Sequence, residues 1–428
     1  MVPALIALTL FGGLLLSVPI FVTLAGTAFV TLGLTSPIPL SVLAQRIYAG
    51  LDSFTLLASP FYFLAAEIMS RSGLSQRLVN FVQTLVGHLP GGLGISVVLT
   101  CMLFGTITGS SASTIVAIGS IMAPALIRAG YSQGFAIGSV TCSALIGMII
   151  PPSNAMIIYG ATASTSIGAL FMAGIGAGGV FALAYCLYCV GYARLTGVPR
   201  AQRATLRQIA SAGRAVIWGI GLPVLILGGI YSGAFTTTEA AIVAVLYAAA
   251  VALIVYRTIT LRQMFGICVD AGIASARVLI LVAAASVFSW LMTVTQTTQL
   301  AARPLANLAD SPALFMLATN AVMLLAGMFV DVYSNILVLV PVLLQPATLA
   351  GIDPVHLGII ATVNVDIGNV TPPFGLNLFV AAALFRCSYF QVLRAILPWL
   401  CVALASLLVI SFVPEISMWL PRRLYPGL

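Results

Sequence analysis

The chain contains no lysine: all 17 of its basic residues are arginine. A glycine-rich phosphate loop ending in Lys-Ser/Thr therefore cannot exist, which excludes an ATP-driven pump of that kind. Histidine is almost as scarce. His88 and His356 stand 268 positions apart, with no His-x-x-x-His spacing and no Ser-His or paired-Asp protease frame. That leaves no constellation for a membrane-embedded hydrolase, so the chain is not expected to be an enzyme. Charge of either sign is rare, at 6% of residues against 61% hydrophobic. No soluble domain hides that much apolar surface. Residues 129–193 pass without one charge or histidine, room for two or more spans at ~20 residues each.

What charge there is sums to +8. The arginines are scattered at the ends of apolar stretches with no basic-aromatic array. They read as topology determinants and lipid-headgroup anchors in a bilayer, not as nucleic-acid contacts. Seven cysteines occur, and Cys186-x-x-Cys189 sits in an apolar run with no histidine near it. Packing explains that pair better than redox or metal chemistry. The N-terminus has no basic n-region, so no cleavable signal peptide is expected.

The densest basic run is Arg194, Arg200, Arg203, Arg207 and Arg214. By the positive-inside tendency this linker, residues 196–213, is cytoplasmic. It divides the chain into a first half, 1–195, and a second, 214–428. Counting outward, 216–231 cross to an outer turn at residues 231–236 and 237–256 return. An amphipathic segment over about 259–278 lies along the interface, and 279–299 cross again. Residues 3–34 fold either as two short helices split near Pro19, with the N-terminus outside, or as one long tilted helix, which inverts that placement. His88 and His356 fall at segment boundaries, where an interfacial position is expected. Glu239, in Thr236-Thr237-Thr238-Glu239, reads as part of a helix N-terminal cap.

Two Pro-Pro pairs, Pro151-Pro152 and Pro372-Pro373, interrupt apolar stretches 221 residues apart. Proline lacks the backbone donor and clashes with the preceding turn, so each pair breaks its helix. Broken backbone at membrane depth is tolerated only where protein or a wet cavity satisfies it. Gly130 and Gly147 match Gly351 and Gly368 at the same offset, while Gly105, Ser113 and Pro124 fall opposite Gly327, Asn335 and Pro346 at 222. A one-residue deletion between that proline and the following glycine accounts for the change. With about five crossings per half, the copies must start from opposite faces: an inverted-topology repeat. Before each break lies a segment too polar for a plain span, residues 105–114 and 327–335. These read as re-entrant hairpins over about 90–128 and 311–350, each followed by a broken helix over 133–160 and 355–384.

These pieces suit small cations, which need several oxygen ligands. Hydroxyls, amide oxygens and helix-end carbonyls supply them, and half-helix N-termini favour an anion beside them. The candidates are Ser110, Ser111, Ser113, Pro151, Ser153 and Asn154 in the first half. In the second they are Asp331, Ser334, Asn335, Asn364, Asp366, Gly368, Asn369 and Thr371. Small hydroxylated residues in membrane helices more often serve packing, which is the reading for Ser120, Ser139 and Thr141. Asp331 and Asp366 are functional by default, because an intramembrane acid is costly; an ion pair with arginine is the alternative.

The runs Gly109-Ser110-Ser111-Ala112-Ser113, Gly147-Met148-Ile149-Ile150-Pro151-Pro152-Ser153 and Thr371-Pro372-Pro373-Phe374-Gly375-Leu376-Asn377-Leu378-Phe379-Val380 are joined by Gly351-Ile352-Asp353-Pro354-Val355-His356-Leu357-Gly358 and Thr238-Glu239-Ala240-Ala241. Over essentially its whole length the chain resembles the large membrane subunit of TRAP (tripartite ATP-independent periplasmic) transporters. The resemblance implies an all-α inner-membrane carrier with an elevator mechanism, coupled to two or more Na⁺ ions and using no organic cofactor. It implies a small four-helix membrane subunit as a separate chain and a periplasmic substrate-binding protein. By motif, residues 110–113 and 151–154 frame one sodium site and 331–335 with 364–371 the other, with substrate between. Within that frame Ser111, Ser153, Asn154, Asn335, Asn369 and Thr371 are assigned to the substrate. Ser110, Ser113, Pro151, Asp331, Ser334, Asn364, Asp366 and Gly368 are assigned to the ions. The implied cargo is a small organic acid, a C4-dicarboxylate first, with sialic acid or an oxo acid as rivals and H⁺ coupling through Asp331 or Asp366 as the alternative to Na⁺.

Overall fold

The computed structural model describes residues 2–424 except 17, 37, 55, 307 and 309, and every element in them is helical. The first half runs α1 (Val2–Leu15), α2 (Ile20–Thr35), α3 (Ser41–Leu51), α4 (Ala58–Arg71) and α5 (Leu74–Val86). A helical hairpin follows, α6 (Gly92–Thr108) and α7 (Ser111–Arg128). The broken helix comes next, α8 (Gln133–Ser143), α9 (Ile146–Ile149) and α10 (Asn154–Ala163), and α11 (Ile167–Thr196) closes the half. Pro19 does split the first apolar stretch in two. Its chain N–H is missing where α2 begins, so the helix starts there without losing an internal hydrogen bond.

The second half runs α12 (Leu206–Tyr231), α13 (Thr237–Ala250, prolonged by a π-helical turn, Val251–Val255), α14 (Leu261–Val294) and α15 (Thr297–Ala306). Its hairpin is α16 (Pro312–Gly327) and α17 (Val332–Leu349). Its broken helix is α18 (Pro354–Gly368) and α19 (Leu376–Phe385), followed by α20 (Tyr389–Phe412) and α21 (Glu415–Leu424). Seven of the described helices are long and apolar enough to cross a membrane, or eight counting the bent pair α8–α10. The chain is a polytopic membrane protein.

Two expected boundaries move. Residues 206–213 belong to α12, because Thr205 and Gln208 form a capping box at its start, so the non-helical part of the linker ends at 205. The interfacial segment and the crossing after it are one continuous helix, α14, of 34 residues. At 1.5 Å per residue it is about 51 Å long, well beyond the ~30 Å apolar layer. A capping box at Thr260 and Gln263 starts it; it contains no proline, and its two glycines, Gly266 and Gly272, lie within the helix without breaking it. Glu239 caps α13 in a third such box with Thr236.

The starts of the second hairpin arms and of the broken helices keep the 221 offset, while the flanking elements depart from it by one residue. α7 and α17 begin at Ser111 and Val332, and α8 and α18 at Gln133 and Pro354, both 221 apart. The cap residues before α7 and α17, Ser110 and Asp331, hold the same offset. The missing residue therefore lies at the hairpin tip, between Gly327 and Asp331, and not after the proline. Asn335 consequently stands opposite Thr114 rather than Ser113.

The helices can be described as two groups that also pack on each other, α4 and α5 against α6, and α14 and α15 against α17. α2, α3 and α4 lie against α14, α4 also against α13, and α5 against α12. The hairpins and broken helices form the other group: α6 packs on α8 and α9, and α16 on α18. Each second arm crosses over, α10 against α17 and α19 against α7. Paired glycines set how close the hairpins come. A Cβ on Gly105 would lie 2.0 Å from the Gly147 Cα, and one on Gly368 would lie 2.6 Å from the Gly327 carbonyl carbon. Only hydrogen fits between these backbones, which is why both halves repeat this pair.

Candidate functional site

In the second unit, amide side chains are held by their nitrogens and leave their oxygens unused. Asn364, on α18, donates Nδ2 to the Asn320 Oδ1 at 2.7 Å and to the Ile360 carbonyl at 2.9 Å. Asn335, on α17, donates Nδ2 to the Met323 carbonyl at 3.1 Å. Both anchors lie on one turn of α16. The Oδ1 of Asn364 and of Asn335 and the Thr319 hydroxyl are buried with no partner. An unpaired oxygen in a dry interior is unfavourable unless something binds it. No group of three His, Cys, Asp or Glu that could hold a transition metal exists among the described residues.

The tip of that hairpin is organised by Asp331. As N-cap of α17 its carboxylate accepts from the backbone N–H of Tyr333 at 3.1 Å and Ser334 at 3.2 Å, and from the Ser334 hydroxyl. Asp331 and Ser334 thus spend their polar atoms on each other and on the helix end, an arrangement that contributes about 1 kcal/mol. Across the break, the Thr371 hydroxyl donates to the Ile367 carbonyl at 2.7 Å. The backbone N–H of Gly375 reaches the Met328 carbonyl, and that of Asn377 reaches the Asn369 carbonyl at 3.0 Å. Gly375 has φ +54°, and a Cβ there would lie 3.0 Å from the carbonyl oxygens of both Asn369 and Thr371. Glycine is what lets the chain turn back this tightly.

The first unit is built from hydroxyls that satisfy one another. Thr114 donates to the Ser110 carbonyl at 2.8 Å and pairs with the Thr108 hydroxyl at 3.2 Å. Ser110 caps α7 through Ser113 N–H, and Ser153 caps α10 through Met156 N–H. Asn154 accepts from Ser59 of α4 at 3.4 Å. Gly109, at φ +56°, brings the tip against the break, where a Cβ would lie 3.0 Å from the Pro152 carbonyl oxygen. Ser113 faces outward into a cavity of about 520 Å³ that also touches Ser70, Ser120 and Val380.

Between the units lies Asp366. It is wholly buried, and neither carboxylate oxygen has a hydrogen-bond partner. Two residues along α18 from Asn364, it points about 200° away from it. Ser111 of the first hairpin stands beside it without a regular hydrogen bond, and Tyr185 of α11 is within electrostatic range. Tyr333 of the second hairpin is also within electrostatic range, so Asp366 has neighbours in both hairpins. The Ser111 hydroxyl accepts from Asn377 Nδ2 at 2.9 Å, so a residue of the second break holds the first hairpin's tip.

The structure brings the expected residues of each half together around its break, but it redistributes roles. Asp331 and Asp366 form no ion pair, and the salt bridges among the described residues join Arg71 to Glu67 and Asp270. His356 lies in the first turn of α18. It is buried, with Nδ1 2.6 Å from the Ser417 hydroxyl and Nε2 3.4 Å from the Ser411 carbonyl. A polar α20–α21 corner can receive it, which the apolar sequence around it conceals. Asn377 and Asn320 were not among the expected site residues. Their signal was present, since a lone amide in an apolar helix needs a partner. All seven cysteines are free, in keeping with packing roles.

Against known proteins, the profile of one family, described as "Tripartite ATP-independent periplasmic transporter, DctM component", matches residues 7–416. The chain belongs to this family. It is similar to the C4-dicarboxylate TRAP transporter large permease protein DctM of Pseudomonas aeruginosa, 41% identical over 92% of both chains. It is also similar to the ectoine TRAP transporter large permease protein TeaC of Halomonas elongata, 38% identical over 96% of this chain and 97% of that one. Among solved structures, the YdaH transporter of Alcanivorax borkumensis shares the fold, with a TM-score of 0.71 at 16% identity over 94% of this chain and 97% of that one. As a DctM-family member the chain is a transporter's large permease subunit in the bacterial inner membrane, and not an enzyme.

Proposed function

We propose that this subunit imports a small organic acid in symport with Na⁺, as part of a complex with a separate four-helix membrane subunit and a periplasmic substrate-binding protein. One observation carries the sodium reading: the buried oxygens of Asn335, Asn364 and Thr319 have no partner while the neighbouring amide nitrogens are all engaged. Amide oxygens left free in this way are acceptors that a cation can use. The first unit supplies a second, neutral set around Ser110, Ser113 and the carbonyl of Pro151. Ser111, Ser153, Asn154, Asn369 and Thr371 line the space assigned to the substrate.

C4-dicarboxylates are the first substrate class to test, because the relative at 41% identity carries that name. The ectoine name of another relative keeps the pocket's range open, and sialic acid and oxo acids remain rivals. The two groups of helices support an elevator, with the hairpins and broken helices moving as one body against the rest. Cavities lie along the seam: the one at Ser113, and another of about 750 Å³ between Thr165 and Ser166 on one side and Phe235 and Thr236 on the other. The repeated element offset supports two halves of opposite orientation.

Calorimetry on the cognate binding protein identifies the substrate. Uptake by the reconstituted complex at fixed pH is then expected to need an inward Na⁺ gradient. Sodium-independent uptake, or uptake that follows a proton gradient instead, rejects the reading.

A further inference from the structure

The Asn364 amide is useful to a cation only in one of its two rotations. Its oxygen and nitrogen occupy nearly the same volume, so shape does not choose between them; hydrogen bonding does. Both Nδ2 hydrogens are taken, one by the Ile360 carbonyl in the same helix and one by the Asn320 Oδ1. Asn320 offers an oxygen there because its own nitrogen is engaged, donating to the Ser411 hydroxyl at 3.0 Å. Ser411 in turn presents its carbonyl to His356, whose other ring nitrogen meets Ser417 in the first turn of α21. All five side chains are buried. Buried polar contacts therefore link α21 and α20 through His356 of α18, and the Ser411 hydroxyl through Asn320 of α16 to Asn364 of α18.

We propose that Asn320 is a positioning residue for cation binding: held by Ser411, it locks the Asn364 amide so that Oδ1 alone faces the second unit. The proposal rests on the reading of that unit as a Na⁺ site. Asn320 does not face the ion, since both ends of its amide are spent. It acts on the ligand, as an outer partner that orients an inner one. The first unit has no counterpart: Ser143 occupies the position 221 before Asn364, and the helix facing it carries Val98 and Leu99 where α16 has its amide. Asn335 shows the same device by simpler means, its nitrogen held by the Met323 backbone carbonyl.

Saturation binding of radiolabelled Na⁺ to the purified full-length chain, with K⁺ as the control ion, tests this without knowledge of the substrate. Asn320→Leu removes one of the two hydrogen bonds that hold the Asn364 nitrogen and is expected to weaken Na⁺ affinity about 10-fold, in the range seen when outer partners of metal ligands are removed. Should that variant fail to fold, Ser411→Ala removes the anchor with a smaller change. It is expected to weaken affinity in the same direction, while Ser411→Thr, which keeps the hydroxyl, restores it. Unchanged affinity in Asn320→Leu and Ser411→Ala, beside saturable binding by the wild type, overturns the positioning role alone. Equal weakening by Ser411→Ala and Ser411→Thr overturns it as well, because packing and not hydrogen bonding would then be at work. No saturable Na⁺ binding by the wild type overturns both this proposal and the sodium reading beneath it.

Discussion

The two hairpin units share an offset, a glycine pair and a proline break, yet they treat their polar atoms in different ways. In the first, the Thr108 and Thr114 hydroxyls pair, Thr114 bonds the Ser110 carbonyl, and the Ser110 hydroxyl accepts from the Ser113 N–H. In the second, amide nitrogens are tied down and oxygens are left over. The first unit also leaves the buried hydroxyls of Thr100 and Ser143 without a partner, so what differs is the kind of atom left over, and the difference lies in a few side chains: Asn for Thr at 335 against 114, and Asn for Ser at 364 against 143.

The largest way to break the comparison is steric. Gly105→Val places carbon where the Gly147 backbone already stands, 2.0 Å away, and is expected to abolish folded protein. Gly327→Ala meets its nearest atom, the Gly368 Cα, at 3.2 Å, and is expected to cost about 1–3 kcal/mol. Monodisperse yield and thermal stability in detergent distinguish them; equal tolerance would deny that the first unit is the tighter. Next in size is Ser111→Ala. It strands the buried Asn377 amide and should destabilise by about 1–3 kcal/mol, visible as a lowered melting temperature. An unchanged melting temperature would remove the link between the halves.

Asp331 sharpens the comparison further. Capping predicts that Asp331→Ala destabilises by about 1 kcal/mol whereas Asp331→Asn, itself a good cap, changes stability by only a few tenths. Loss of Na⁺ affinity in Asp331→Asn at unchanged stability would show a charge role beyond the cap. The smallest effect is expected outside both units. Arg71→Ala removes the bridges to Glu67 and Asp270, all three side chains being substantially exposed, and should cost at most about 1 kcal/mol. A larger loss would make the α4–α14 contact more than a surface pair.

The sequence announces the hairpins and breaks to within a few residues because glycine, proline and hydroxyl clusters stand out against apolar runs. It also makes most site residues visible by type. What it hides is long-range pairing. Asn377 meets Ser111 across 266 positions, and Asn320 meets Ser411 across 91; no local pattern encodes either. The unbroken α14 was hidden for another reason: an amphipathic stretch feeding an apolar one changes environment without any residue that ends a helix. The buried His356 is a similar case, its partners lying in α20 and α21, far along the chain.

The proposed inverted repeat requires the two hairpins to enter the membrane from opposite faces. In a background with the exposed Cys268 and Cys401 replaced by serine, single cysteines at the exposed Leu89 and Ala313 would be labelled in intact cells with a membrane-impermeant maleimide. Labelling of one position from outside and protection of the other is predicted. Labelling of both from the same side would contradict the inverted pair.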